Sequence, residues 1–134
     1  MIRVVLDTNI LVSALLSPEG PPALLFRTAL LGQENRLCVS GEVYAEYDEV
    51  IRRPNLRRSE SQIAATLRSI REMGIWVKPH EKVSGCLDPD DNIFLECAQA
   101  ADADFLVTGN VKHFPAIWKN TRIVTVRQFL NEFG

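Results

Sequence analysis

The chain is predicted to form an α/β domain with a mainly parallel sheet, because short apolar runs alternate with segments of helical length. The runs fall at residues 2–6, 37–39, 75–77, 105–107 and 123–125. They are short, rich in β-branched residues and without polar alternation, as strands covered on both faces read. The stretches between them carry helix caps and helical spacing of apolar residues. No repeat, low-complexity tract or long linker divides the 134 residues, so one domain spanning 1–134 is expected.

Taken in order, Ile2-Arg3-Val4-Val5-Leu6 is a strand that ends at Asp7. A helix from Thr8 to Leu16 follows at once, with Thr8 or Asn9 able to cap it. Ser17 to Pro22 is a turn, and Pro21 and Pro22 suit the opening of a helix to about Leu31. Leu37-Cys38-Val39 is the second strand. Ser40 caps a helix running to about Arg52 and stopped near Pro54. Residues 60–73 place Ile63, Leu67, Ile70 and Met73 on one stripe, and Gly74 follows as the C-cap. Ile75-Trp76-Val77 is the third strand. Asp88 as cap and Pro89 at the first helical position open a helix to about Ala101. Phe105-Leu106-Val107 and Ile123-Val124-Thr125 are the last strands, and Val126–Phe133 is a closing helix.

Composition excludes several classes. The 15 basic and 17 acidic residues leave a net charge of −2, so there is no global basic field for nucleic acid. The three cysteines, Cys38, Cys86 and Cys97, are odd in number and have no Cys-x-x-Cys spacing. They point to a reducing cytoplasm, not to a disulfide framework or a structural zinc site. The N-terminus runs directly into a strand without a signal peptide, and no apolar run approaches a membrane span. His80 and His113 are the only histidines, with no His-x-x-x-His pair for a zinc hydrolase. Phosphate-loop, dinucleotide and nucleophile-elbow motifs are also missing.

Acidic residues at the ends of core elements carry the chemistry. Asp7 ends the first strand, and open parallel sheets gather their chemistry at the carboxyl ends of strands. Asp7 could instead cap the following helix. Glu46 lies beside the stripe of Val43, Tyr47 and Val50, so it sits next to an apolar face. Glu42, one turn earlier, is a rival. Asp48 and Glu49 point further round, towards solvent. Asp88 and Asp91 share a face, and Asp91 shares its stripe with Phe94, Leu95 and Ala98. Favourable placement at a helix N-terminus is the competing explanation for these acids, Asp90 above all.

Such carboxylates repel by roughly 4 kcal/mol per pair at about 4 Å with an effective dielectric near 20. A hard divalent cation, Mg²⁺ or Mn²⁺, makes a convergent cluster tolerable. Arg52, Arg53, Arg57 and Arg58 bracket a Pro-Asn turn and read as a solvated surface or as a phosphate-contacting patch. Lys112 and His113 follow Asn110 and could also reach a phosphate.

Four segments together resemble the PIN domain: Val5 to Ser13 around Asp7-Thr8-Asn9, Ser40 to Glu46 running on to Arg53-Pro54, Asp88-Pro89-Asp90-Asp91-Asn92, and Val107 to Phe114. The likeness is greatest to the VapC-like toxins of prokaryotic toxin–antitoxin modules, and it covers essentially the whole chain. It implies a three-layer α/β/α sandwich with a mainly parallel sheet of about five strands. It further implies a Mg²⁺- or Mn²⁺-dependent endoribonuclease that cuts single-stranded RNA, with a cognate antitoxin and a homodimer as partners. Asp7, Glu46 and Asp91 would be the core acids, supported by Asn9 and Thr108. The family's fourth acid falls at or near Asn110, which puts a complete second metal site in question. Asp88 is a candidate to supply the missing charge as a metal ligand. Arg52, Arg53 and Lys112 are the candidate RNA contacts.

Two other functions compete. An aspartyl-phosphate phosphatase would need a second Asp two residues after Asp7, where Asn9 stands. A PIN fold that binds RNA or protein without cleaving is the alternative that Asn110 and the acidic total charge favour.

Overall fold

The structure is a computed structural model and describes residues 1–133. Six strands form one sheet: β1 (Ile2–Leu6), β2 (Asn35–Val39), β3 (Ile75–Trp76), β4 (Phe105–Val107), β5 (Ile117–Trp118) and β6 (Thr121–Val124). Their spatial order is β3-β2-β1-β4-β6-β5, and every pairing is parallel except β5 with β6. The expected parallel sheet is therefore present, with one strand more than expected. The helices are α1 (Thr8–Leu16), α2 (Pro21–Leu31), α3 (Gly41–Ile51), α4 (Glu60–Met73), α5 (Asn92–Ala101) and α6 (Val126–Phe133). Short 3₁₀ turns occupy Pro54–Leu56, Pro89–Asp91 and Val111–His113.

The central strands are built from the residues that cannot face water. Val4, Val5, Leu6, Leu37, Cys38, Val39, Leu106 and Val107 are all buried. Helix α5 lies close against β1, with Phe94, Leu95, Cys97 and Ala98 fully buried. Helix α4 turns Ile63, Leu67 and Ile70 inward, while Met73 at the end of the expected stripe is partly exposed. Gly74 closes α4 because a Cβ there would stand 2.7 Å from the Ile70 carbonyl oxygen. The cysteines are free; Cys38 and Cys97 are buried, and Cys86 is half-buried. Among the described residues no helix is long and apolar enough to cross a membrane.

Strand β3 ends a residue early and β6 runs from Thr121 to Val124 instead of 123–125, and three further differences from expectation have a local reason. Strand β2 starts at Asn35 because Ile2 and Arg3 of β1 pair with Asn35 and Arg36, which extends the ladder through polar residues. Helix α1 has Asp7, not Thr8 or Asn9, at its cap position, and the Asp7 side chain makes no capping bond. The Asp88-Pro89 segment does not open α5 directly. Asp88 takes the Asp90 N–H at 3.0 Å and forms a 3₁₀ turn, so α5 begins only at Asn92.

Candidate active site

The carboxyl edge of the central strands holds a crevice of about 290 Å³, lined by Asp7, Thr8, Asn9, Val12, Glu46, Val50, Arg53, Asp91 and Asn110. Each acid arrives by a different route. Asp7 follows β1 and is drawn into line by its own N–H, which donates to the Val107 carbonyl at 2.9 Å. Glu46 comes from α3, whose start is fixed by the Ser40 hydroxyl accepting the Val43 N–H at 3.2 Å. That helix is also anchored by Tyr47, whose buried hydroxyl donates to the Leu6 carbonyl at 2.5 Å, one residue before Asp7. Asp91 is brought in by the 3₁₀ turn ahead of α5.

Two threonines hold two of the acids. The Thr108 hydroxyl donates to Asp7 at 2.7 Å in a fully buried bond, and it accepts the Asn110 N–H at 3.0 Å. The Thr8 hydroxyl donates to Glu46 at 2.9 Å. Asn9 accepts the Gly109 N–H at 3.4 Å, which ties the start of α1 to the turn after β4. The Asp7 side chain thus bonds Thr108 and makes no capping bond to α1, while its backbone carbonyl accepts the Ile10 N–H at 3.0 Å. Thr8, one of the two candidate caps of α1, instead orients an acid.

The charges are unhappy together. Burial pushes the Asp7 carboxyl up; the Thr108 hydroxyl draws it back, and the Glu46 charge adds to the rise. Asp91 is pushed up to about 6, first by burial and then by Asp7 and Asp88. The His113 imidazole counteracts both rises weakly. Cys86 lies close enough to share the same field. Burial first, then Asp91, Asp7 and Asp88, push its thiol up to about 12, which leaves it an unreactive thiol.

The remaining candidates divide. Arg53 faces the crevice and carries the only guanidinium in its lining; it also pairs at 2.9 Å with Glu49 of α3. Arg52 lies outside the lining, engaged by Asp48 and, at 3.1 Å, by Glu60. Lys112 belongs to a different depression, with Phe114, Ala116 and Ile123. Asp88 is exposed, lies outside the lining and acts as the cap described above. Asn110 lines the crevice with the acids. Glu42 is exposed and outside it. Among the described residues no three His, Cys, Asp or Glu side chains stand close enough, as placed, to hold one ion.

A family profile described as the PIN domain matches residues 3–112, from β1 through the turn that follows β4. The chain belongs to the PIN-domain family. The match takes in Asp7, Glu46, Asp91 and Asn110, and stops before β5, β6 and α6. The chain is also 26% identical over 148 residues to the uncharacterized protein MJ1680 of Methanocaldococcus jannaschii, covering 98% of this chain and 92% of that protein. Its fold is similar to the crystal structure of VapBC2 from Rickettsia felis bound to a DNA fragment from their promoter. That likeness has a TM-score of 0.61 at 18% identity and spans 92% of this chain and 98% of the solved one. The PIN fold expected from the sequence is the fold found.

Sequence reasoning missed one buried acid altogether. Glu96 on α5 is 6% exposed, accepts the Val83 N–H at 3.1 Å and lies 3.8 Å from the Lys82 ammonium. The signal was available: its neighbours Phe94, Leu95, Cys97 and Ala98 are apolar on every side, the mark of a helix buried all round.

Proposed function

We propose that this PIN-domain protein is a divalent-cation-dependent endoribonuclease that cuts single-stranded RNA, acting as the toxin of a toxin–antitoxin pair. The observation that carries the reading is the convergence of Asp7, Glu46 and Asp91 on one crevice, where Glu46 adds to the rise of the Asp7 carboxyl and Asp7 to that of Asp91. The donor set is all oxygen and of the hard kind that suits Mg²⁺ or Mn²⁺. Asp7, Glu46 and Asp91 would hold the ion, drawn closer together than they stand without it. A bound cation there would supply positive charge to the phosphate and make water more acidic.

The chain's own residues would do the rest. Thr108 and Thr8 keep Asp7 and Glu46 turned into the crevice as acceptors. Arg53 at the rim would pair with a phosphate oxygen, exchanging Glu49 for the substrate. Val12 and Val50 give one wall an apolar lining that limits water. The reaction needs no side-chain nucleophile, because water would be the attacking group.

The toxin assignment draws on the PIN-domain match and on the fold likeness to VapBC2. An antitoxin is the proposed partner, with a homodimer as the proposed assembly. Exposed Leu16, Leu24 and Leu31 on α1 and α2 supply apolar surface for such contacts. Asp88 stays a proposed outer contributor of charge, and Arg52 and Lys112 proposed secondary RNA contacts.

Purified protein is expected to cut single-stranded RNA with Mg²⁺ or Mn²⁺ and to stop in EDTA, and folded Asp91→Asn to be inactive. Cleavage that ignores EDTA would overturn the cation reading. A folded wild type that binds RNA yet never cuts it would favour the non-cleaving module, which Asn110 in place of an acid supports.

A further inference from the structure

The Asp88-Pro89-Asp90-Asp91-Asn92 segment ends on a residue that the acid chemistry leaves unused. Asn92 opens α5, and its side-chain oxygen accepts two backbone N–H groups, Gly85 at 3.1 Å and Cys86 at 3.0 Å. Both lone pairs of that oxygen are thereby occupied. One turn along α5, Glu96 accepts the Val83 N–H, and Leu87 donates to the His113 carbonyl at 3.0 Å. Residues 83–87 have no helix or strand of their own. Four of their N–H groups are nonetheless held, three by α5 and one by the turn after β4. The fit is also steric: a Cβ on Gly85 would meet the Trp118 ring at 2.8 Å and Leu95 at 3.0 Å.

This segment leads straight into the turn that presents Asp91. The Asp91 N–H is bonded to the Asp88 carbonyl at 3.0 Å, and the next residue is Asn92 itself. Asp91 makes no capping bond with its own side chain. Repulsion from Asp7 and Glu46, which line the same crevice, acts to swing the turn outward.

We propose that Asn92 is a positioning residue: by binding the 83–87 segment to the head of α5, it holds Asp91 facing Asp7 and Glu46 for cation capture. The inference rests on the cation reading of the crevice. Without the Asn92 oxygen, two half-buried N–H groups lose their partner, and the segment must move to find water.

The test uses Asn92→Ala and Asn92→Asp in the full-length protein, with Mn²⁺ titrated calorimetrically in the absence of RNA. Amide exchange at Gly85 and Cys86 is followed in parallel. Asn92→Ala is expected to lower Mn²⁺ affinity by ~10-fold or more, as loss of a residue that orients a ligand does. Its Gly85 and Cys86 amides exchange faster. Asn92→Asp offers the same two acceptor positions and is expected to restore both readouts. Asn92→Gln, which keeps the amide but displaces its oxygen, carries the same comparison if the alanine variant does not fold.

A purely structural role would lower the melting temperature of Asn92→Ala while leaving wild-type Mn²⁺ affinity, and that result overturns the proposal. Failure of Asn92→Asp to restore affinity overturns it too. A wild type that takes no Mn²⁺ overturns the cation reading itself, and the positioning role with it. The two failures are therefore distinct.

Discussion

In the metal-free protein, Asp91→Asn is expected to stabilise the fold at pH 8 and to have almost no effect at pH 4. Asp91 is pushed from an ordinary 3.8 to about 6 by burial, Asp7 and Asp88. Between those values the folded chain holds a proton that the unfolded chain has released. Stability therefore falls as pH rises through this window and stays low above it. The full cost of the ionised form is about 3 kcal/mol, at about 1.4 kcal/mol for each tenfold change in the ionisation constant. Asp91 is only half-buried. Solvent screening cuts the cost to about half, leaving about 1.5 kcal/mol. Asparagine has the same shape without the charge, so it recovers that amount at pH 8. For a chain of this size the gain is about 5 °C in melting temperature. Thermal unfolding in EDTA at the two pH values measures it. Saturating Mn²⁺ should reverse the order, because the ion stabilises only the protein that binds it. Equal destabilisation at both pH values would refute the reasoning, and would mean that Asp91 serves the head of α5 and not a strained acid cluster.

Thr108→Val removes the donor to Asp7 and the acceptor for the Asn110 N–H, and is expected to cost about 1–3 kcal/mol in urea unfolding. The remaining Asp7 carboxyl should rise further in pKa, which titration by NMR would follow. Asn110→Asp is expected to tighten Mn²⁺ binding in calorimetric titration, since a charged oxygen replaces a neutral one; unchanged affinity would place residue 110 outside the ligand shell. Arg53→Ala should weaken binding of single-stranded RNA in EDTA and lower its salt slope by about 0.7, the share of one phosphate contact. Fluorescence anisotropy over a salt series reads both, and an unchanged slope would leave Arg53 to its pairing with Glu49.

Elements with a local cause were legible in the sequence. Ser40 caps α3 because its hydroxyl reaches the Val43 N–H, a relation that spans three residues. The strands at 2–6 and 105–107 show their burial in unbroken apolar runs. Strand β5 had no such mark: Ile117 is 63% exposed, and the pair exists because the chain reverses at Lys119, which has a left-handed φ of 54°. A lysine carries no local signal for that conformation. The candidate site divides in the same way. Asp7, Glu46 and Asp91 could be picked out by position beside apolar residues, and the crevice brings them together. What Thr8 does could not be read, since its Glu46 partner lies 38 residues away. The split between Arg52 and Arg53 was equally hidden, because the Glu60 that engages Arg52 belongs to the next helix.

The distance along the chain between Asp7 and Thr108 sets a schedule for synthesis. These partners are 101 residues apart, and β4 is the strand that lays Thr108 beside Asp7. At about 5–20 residues per second, a ribosome needs roughly 5–20 s to pass from one to the other. Until then Asp7 has neither its hydroxyl donor nor the strand that flanks it, and Asp91 has not settled beside it for most of that time. A nascent chain is consequently without an assembled acid crevice while it is still attached to its messenger and within reach of ribosomal RNA. The crevice is completed late for a reason of topology: the first strand made is a central one, and it waits for a neighbour encoded near the end.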